Sequence, residues 1–280
     1  MRSHLLSGWL RGTTRYGGIG FVILLFLAPV LWMLITAVKP PGEWLNSPPV
    51  FWPTRFYWAN FTEALGQWGG AKGLIDSLVV ASTSTVLSVV VGVFAAYSLG
   101  RYRTGGETLS FTVLSILFMP PIAVAVPMYI FWSRLGLLDT FTALILQYTV
   151  FNVPFVSWVL KSFFEDINPA LEESALVNGA TRWQAFYQIA LPLAVPAIVA
   201  VALLSFIFSW NEFFFAVILT RSDVTTLPVI LPTLMEGHDI RWGSIAAIAT
   251  IAALPVVVLA FCLQHYLVRG LSFGTVRERS

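Results

Sequence analysis

The sequence predicts an all-α fold: a polytopic integral membrane protein with six transmembrane helices and a helical hairpin outside the bilayer. Three observations carry this. The 280 residues are 57% apolar and only 11% charged, with a mean hydropathy of +0.79, whereas a soluble domain carries about 25% charged residues. Six apolar runs are each long enough to cross about 30 Å of hydrocarbon as a helix. No run alternates apolar and polar residues like a barrel strand, and backbone groups in lipid must be satisfied internally, which leaves helices.

The first run, 18–38, follows an N-terminal segment, 1–17. It is near the length of a spanning helix and lacks a small-x-small cleavage pattern, so it reads as a span and not a leader. The second run, 74–99, opens on Asp76-Ser77. The third, 109–132, contains Pro120-Pro121 and Pro127, which predict a kink or break. The fourth, 140–163, carries Gln147, Tyr148, Asn152 and Trp158 in an apolar setting. The fifth, 193–219, holds Trp210, Asn211 and Glu212. An acid at the centre of a membrane helix costs about 2.5–3.5 kcal/mol on insertion scales, so Glu212 is expected to face protein or water. It serves there as a pathway group or as an interhelical tie. The sixth run, 243–266, precedes a short basic tail, 267–280.

An even number of spans puts both termini on one side. If that side is the cytoplasm, the inner segments hold Arg2, Arg11, Arg15, Arg101, Arg103, Lys161, Arg182, Arg269, Arg277 and Arg279. The outer ones hold Lys39, Arg55, Lys72, Arg134, Arg221 and Arg241. Ten against six favours cytoplasmic termini, and the hairpin then faces the cytoplasm too. The first external loop, 39–73, is rich in proline and aromatics and suits an ordered loop at the interface. The last, 220–242, mixes Arg221, Asp223, Glu236, His238, Asp239 and Arg241, as a solvated contact loop would.

Several function classes drop out. The net charge of +2 gives nucleic acid no footing. Cys262 is the single cysteine, so no intrachain disulfide forms. His4, His238 and His265 are scattered without metal-ligand spacing. No G-x-x-x-x-G-K-[ST] phosphate loop occurs, and no catalytic constellation is visible. The chain is expected to have no chemistry of its own and no cofactor. Uphill transport would need ATP hydrolysed on another chain, or an ion gradient.

Residues 165–192 are the most informative stretch. Asn168-Pro169 opens a short helix with a good N-cap and a tolerated first-turn proline. Glu172 and Glu173 lie near its start, where the helix dipole favours anions. Asn178-Gly179 closes it, glycine being free to take positive φ. Thr181 and Gln184 then form a capping-box pattern for a second short helix. Trp183, Phe186 and Tyr187 share one face of it, and Leu191-Pro192 marks the passage into the fifth run. The expected shape is an L-shaped knob whose apolar stripe fits a partner's groove and whose head carries an exposed Glu that pairs with that partner's Arg or Lys. A membrane-surface hairpin would be richer in Lys and Arg.

Glu173-Ser174-Ala175, Gly179 and Ile189-x-Leu191-Pro192 resemble the EAA loop of ABC-importer permeases, E-A-A-x3-G-x9-I-x-L-P, with Ser174 as the one departure. Ser209-Trp210-Asn211-Glu212-Phe213 and Gln264 to Leu271 are similar to the carbohydrate-uptake branch typified by the second membrane subunit of the maltose permease. The resemblance covers about 15–276. It implies a coupling helix docking on a dimer of ATPase subunits, which would hold ATP and Mg. Glu172, Glu173, Ser174, Ala175, Gly179, Ala180, Trp183, Phe186, Leu191 and Pro192 would make that contact.

The resemblance further implies a second permease subunit, with a heterodimer favoured, an extracellular solute-binding protein, a prokaryotic inner-membrane location, and a tail that inserts between the ATPase subunits. Asn211, Glu212, Trp210, Asn152, Tyr148 and Gln147 are the expected substrate pathway, because amides, carboxylates and aromatic faces hold sugars. A glycerol-phosphate ester or polyol is the alternative solute. An ion-coupled secondary transporter is a different class, against which stand the docking-type hairpin and the lack of a visible repeat between the halves.

Overall fold

The computed structural model describes residues 2–235 and 240–272, with side chains described for 16–235 and 240–265. Regular structure among them is helical: α1 (Arg2–Ala37), α2 (Ala59–Thr62), α3 (Gly70–Arg101), α4 (Gly106–Leu117), α5 (Pro121–Arg134), α6 (Phe141–Asp166), α7 (Pro169–Val177), α8 (Arg182–Ala185), α9 (Leu191–Trp210), α10 (Phe214–Leu219), α11 (Leu227–Thr233) and α12 (Trp242–Ser272). Wider π turns follow α2 at Glu63–Gln67 and α8 at Phe186–Ala190.

Five described helices are long and apolar enough to cross a membrane: Tyr16–Ala37, Gly70–Arg101, Phe141–Asp166, Arg182–Trp210 and Trp242–His265. A sixth span requires α4 and α5 together, and the chain bends by 90° between them. The third apolar run is therefore not one helix. Pro120 is extended (φ −61°, ψ 128°), as a residue preceding a proline prefers, and Pro121 starts α5 where its missing N–H costs nothing. Pro127 stays inside α5. The fifth run is divided as well. α9 ends at Trp210 and α10 begins at Phe214, so Asn211 and Glu212 sit at a helix break and not at a helix centre.

The chain forms two compact units, residues 1–70 with 231–253, and residues 71–230 with 254–280. In the first, the end of α1 is tied down by its own loop. The Asn60 amide, buried, donates to the carbonyls of Ala37 (3.0 Å) and Lys39 (2.8 Å). A side chain at Gly243 would collide with Asn60. Lys39 is buried with its ammonium 3.9 Å from the centre of the Trp32 ring, a cation at a helix C-terminus. Burial lowers its pKa, and nearby Glu43 partly restores it. Over the most apolar stretch of Tyr16–Ala37 no residue is buried, a surface suited to lipid.

In the second unit, α3 and α6 run through two apolar clusters. One joins Val93, Ala96 and Tyr97 of α3 to Val156, Leu160 and Phe164 of α6, and to Phe186, Ala190, Ala194, Ala197 and Val201. The other joins Val80 to Trp132, Leu144, Tyr148, Phe215, Leu219 and Val224. Lipid tails are as apolar as leucine, so close packing holds such helices together, and small residues permit it. Gly92 meets Val156 with no room for a Cβ, and a Cβ on Gly100 would lie 2.9 Å from the Lys161 carbonyl oxygen. Between the clusters Ser209 Oγ accepts from Ser84 Oγ (3.0 Å) and from Asn152 Nδ2 (2.7 Å), linking α3, α6 and α9.

Candidate functional site

The hairpin is built from local rules. Asn168 Oδ1 accepts from the Ala170 N–H (3.0 Å) and Pro169 is the first residue of α7. At the other end the Gly179 N–H reaches the Leu176 carbonyl (3.0 Å) and the Ala180 N–H reaches Ala175 (3.0 Å), the Schellman pair of bonds. Gly179 has φ +90° with open space around it, so backbone conformation and not crowding selects glycine there. Thr181 Oγ1 accepts from the Gln184 N–H while Gln184 Oε1 accepts from the Thr181 N–H, a complete capping box.

Three expectations need correcting. Glu172 does not face outward. It is buried, accepting from Tyr97 Oη (2.6 Å) and pairing with Arg101 Nη2 (2.6 Å). A carboxylate so close to membrane-spanning helices is stable only with such partners. Phe186 is likewise inside, 2% exposed against Tyr97, Phe164 and Phe94. Finally, the second helix does not stop at Leu191-Pro192. Arg182–Trp210 runs on as one long helix through the π turn at 186–190. That wider turn lies just where Pro192 removes a helical donor and crowds the preceding turn.

What remains exposed is a defined head. Glu173, Ser174, Val177 and Gly179 are exposed on α7 and its cap, with Val177 88% exposed. Trp183 and Tyr187 are exposed and stacked, their rings 6.0 Å apart. Ala175, Ala180 and Leu191 are half-buried and Pro192 is exposed. A cavity of about 320 Å³ flanks this head, lined by Phe94, Tyr102, Arg182 and Trp183 among others. Tyr97, Arg101 and Val177 were not singled out from sequence. Arg101 could have been, as an inner cation on the same side as an acid needing a partner.

The expected pathway residues separate into two groups. Gln147, Tyr148 and Asn152 are buried. Gln147 Oε1 accepts from Trp132 Nε1 (2.7 Å), Tyr148 Oη lies 3.5 Å from the Glu212 carbonyl, and Asn152 bonds Ser209. Trp210 is buried and stacked on Phe206. Asn211, by contrast, is exposed, and Glu212 half-buried. The two carboxylate oxygens of Glu212 accept from the N–H groups of Phe215 (3.0 Å) and Ala216 (3.2 Å), capping α10. Among the described residues no three His, Cys, Asp or Glu side chains converge as a metal site would require.

Segment 221–227 is fastened from two sides. Asp139 accepts four successive backbone N–H groups, from Arg221, Ser222, Asp223 and Val224, at 2.8–3.1 Å. Partial burial raises its pKa, but these four bonds outweigh it and hold the carboxyl below the usual carboxylate range. Asp76 Oδ2 accepts from the Thr225 N–H (2.8 Å) and pairs with Lys72 (2.6 Å), whose ammonium also donates to the Asp223 carbonyl (2.8 Å). Ser77 Oγ accepts from the Leu227 N–H (2.8 Å). Glu236, His238 and Asp239 of the expected loop lie outside the described residues, as does the side chain of His4. So do the side chains of the C-terminal motif beyond His265 and of the tail.

Residues 88–273 match the family described as binding-protein-dependent transport system inner membrane component. The probable ABC transporter permease protein y4oR of Sinorhizobium fredii is 37% identical over 254 residues, covering 90% of this chain and 91% of that protein. The trehalose/maltose transport system permease protein MalG of Thermococcus litoralis is 31% identical, covering 91% and 92%. A chain of a bacterial ABC transporter involved in the import of the acidic polysaccharide alginate has a similar fold. Its TM-score is 0.73 at 22% identity, covering 93% of this chain and 97% of that one.

Proposed function

The chain belongs to the binding-protein-dependent transport system inner membrane components, and from that premise we propose that it is a permease subunit of an ATP-driven carbohydrate importer. The observation that carries this is the hairpin, with its root fixed and its head free. Glu172 is tied to Tyr97 and Arg101, while Glu173, Val177, Trp183 and Tyr187 are exposed beside it. A carboxylate and apolar side chains on one rigid projection fit a protein groove better than water or lipid.

In this reading the hairpin and both termini face the cytoplasm, and Glu173 pairs with a cation in a cleft of a separate ATPase subunit. ATP and Mg are held there and not on this chain. Closure of two such subunits moves the hairpin as a rigid element and shifts the spans between inward- and outward-open states. A second permease subunit, in a heterodimer, completes the path, and an extracellular binding protein delivers the solute. Carbohydrate is favoured by the sugar-transport relatives and by the polar break at Asn211 and Glu212, a candidate part of the pathway. The buried Gln147, Tyr148, Asn152 and Trp210 support that break from within.

The test is reconstitution in liposomes with an ATPase subunit, a second permease subunit and a solute-binding protein that co-purify with this chain. ATP-dependent uptake of a labelled disaccharide is expected. Uptake driven by a proton or sodium gradient without nucleotide would point to the secondary-transporter class instead.

A further inference from the structure

α3 is held at both ends by side chains: one set forms the root of the hairpin, the other lies at the far end of the helix. At its last turns, Tyr97 and Arg101 grip Glu172, and Arg101 Nη2 also donates to the Ile167 carbonyl (3.1 Å). At its first turns, Lys72, Asp76 and Ser77 hold segment 223–227 through the Asp223 carbonyl and the Thr225 and Leu227 N–H groups. A side chain at Gly73 would collide with Ile230, so backbone and partner are in contact there too. Asp76 and Arg101 are about 38 Å apart along the axis of a helix rising 1.5 Å per residue.

Between the two grips α3 is one unbroken α-helix without proline. Of the five helices long enough to span, α3 alone carries no proline; the others hold Pro29, Pro154, Pro192 with Pro196, and Pro255. Sharp kinks occur at prolines, glycine–serine pairs, π turns or interrupted hydrogen-bond ladders. α3 is regular throughout, and its glycines 92 and 100 are packed against α6. Its midpoint is bonded through Ser84 to Ser209.

We propose that α3 is an unjointed strut, and that Arg101 and Asp76 are its two positioning residues, through which displacement of the 165–192 hairpin reaches segment 221–227. The inference rests on the importer reading for the source of that displacement. Arg101 acts through Glu172, and Asp76 through the Thr225 N–H; neither touches solute. The relation is reciprocal: whatever presses on 221–227 is felt at the hairpin.

The test uses the complete importer and three single variants. Arg101→Ala cuts the hairpin grip, Asp76→Leu cuts the far grip, and Val90→Pro puts a joint in the middle at an exposed position. In Asp76→Leu and Val90→Pro the ATPase should still co-purify and basal hydrolysis should persist; in Arg101→Ala, which leaves Glu172 buried without its cation, stimulation is read per ATPase bound. Stimulation of hydrolysis by the loaded binding protein should fall about tenfold, within the usual range of coupling between sites. Asp76→Asn keeps an oxygen for the Thr225 N–H and should retain stimulation. Arg101→Glu with Glu172→Arg should restore it. A merely structural role predicts that all readouts fall together with thermal stability. Normal stimulation in Asp76→Leu and Val90→Pro overturns the strut while leaving the importer intact. A wild-type complex without ATP-driven uptake overturns the importer reading. Should Val90→Pro not fold, Asp76→Leu against Asp76→Asn decides alone.

Discussion

Arg101 Nη2 lies 2.6 Å from Glu172 Oε1, joining the last turn of α3 to the first turn of the hairpin. Both side chains are largely buried, at 13% and 7% exposure. Breaking such a pair leaves a desolvated charge behind. Glu172→Ala should therefore destabilise the protein by about 3 kcal/mol or more, read as a lower midpoint in thermal unfolding in nanodiscs. The reversed pair, Arg101→Glu with Glu172→Arg, should recover part of the loss. A midpoint unchanged in Glu172→Ala would mean the contact contributes nothing.

Gly179 should tolerate asparagine and reject leucine. Its φ of +90° is open to glycine and accessible to asparagine, and nothing crowds the position. A leucine there costs about 1–2 kcal/mol of backbone strain, which is released by unwinding the cap of α7. Amide exchange at Gly179 and Ala180 should accelerate in Gly179→Leu and stay slow in Gly179→Asn. Equal exchange in the two variants would count against the Schellman cap.

Asp139 gives a pH dependence of known sign. Its folded-state pKa lies below the ordinary value of about 3.9. The stability it contributes is thus fully present above that pH and is lost as pH falls below about 4, through the folded-state value. Asp139→Asn replaces one acceptor by an amide donor facing backbone N–H groups and should cost about 1–3 kcal/mol. Unfolding followed from pH 7 to pH 3 should show the wild type losing this advantage over Asp139→Asn. A constant difference across that range would contradict the assignment.

Glu212→Ala should remove the cap of α10 and lower stability by about 1 kcal/mol. If the break also lines the path, the variant should alter solute-stimulated hydrolysis beyond what the lost stability explains, while Glu212→Gln, which keeps an acceptor, stays closer to wild type. Unaltered stimulation with lower stability would leave Glu212 a cap only.

Much of this architecture was legible in the sequence because composition and run length dominate in lipid. Local capping signals at Asn168, Gly179, Thr181 and Gln184 were equally readable, being short-range chemistry. What sequence could not supply was partnership across distance. Glu172 and Glu173 are adjacent and identical in type, yet one is buried against α3 and the other exposed. Helical phase relative to α3, absent from a linear pattern, decides between them. The same holds for Phe186 and Tyr187. The break at 211–213 was hidden by the apolar residues on both sides. Asp76, without an assignable role from sequence, finds one only when residues 72 and 225 come together.

The central claim is that the exposed head of the hairpin transmits work from an ATPase subunit. Glu173→Lys tests it most directly, because Glu173 is exposed and the substitution leaves the Glu172–Arg101 root intact. Co-purification of the ATPase and ATP-driven uptake should both be lost, with thermal stability within about 0.5 kcal/mol of wild type. Wild-type uptake by Glu173→Lys, with the ATPase still bound, would contradict it.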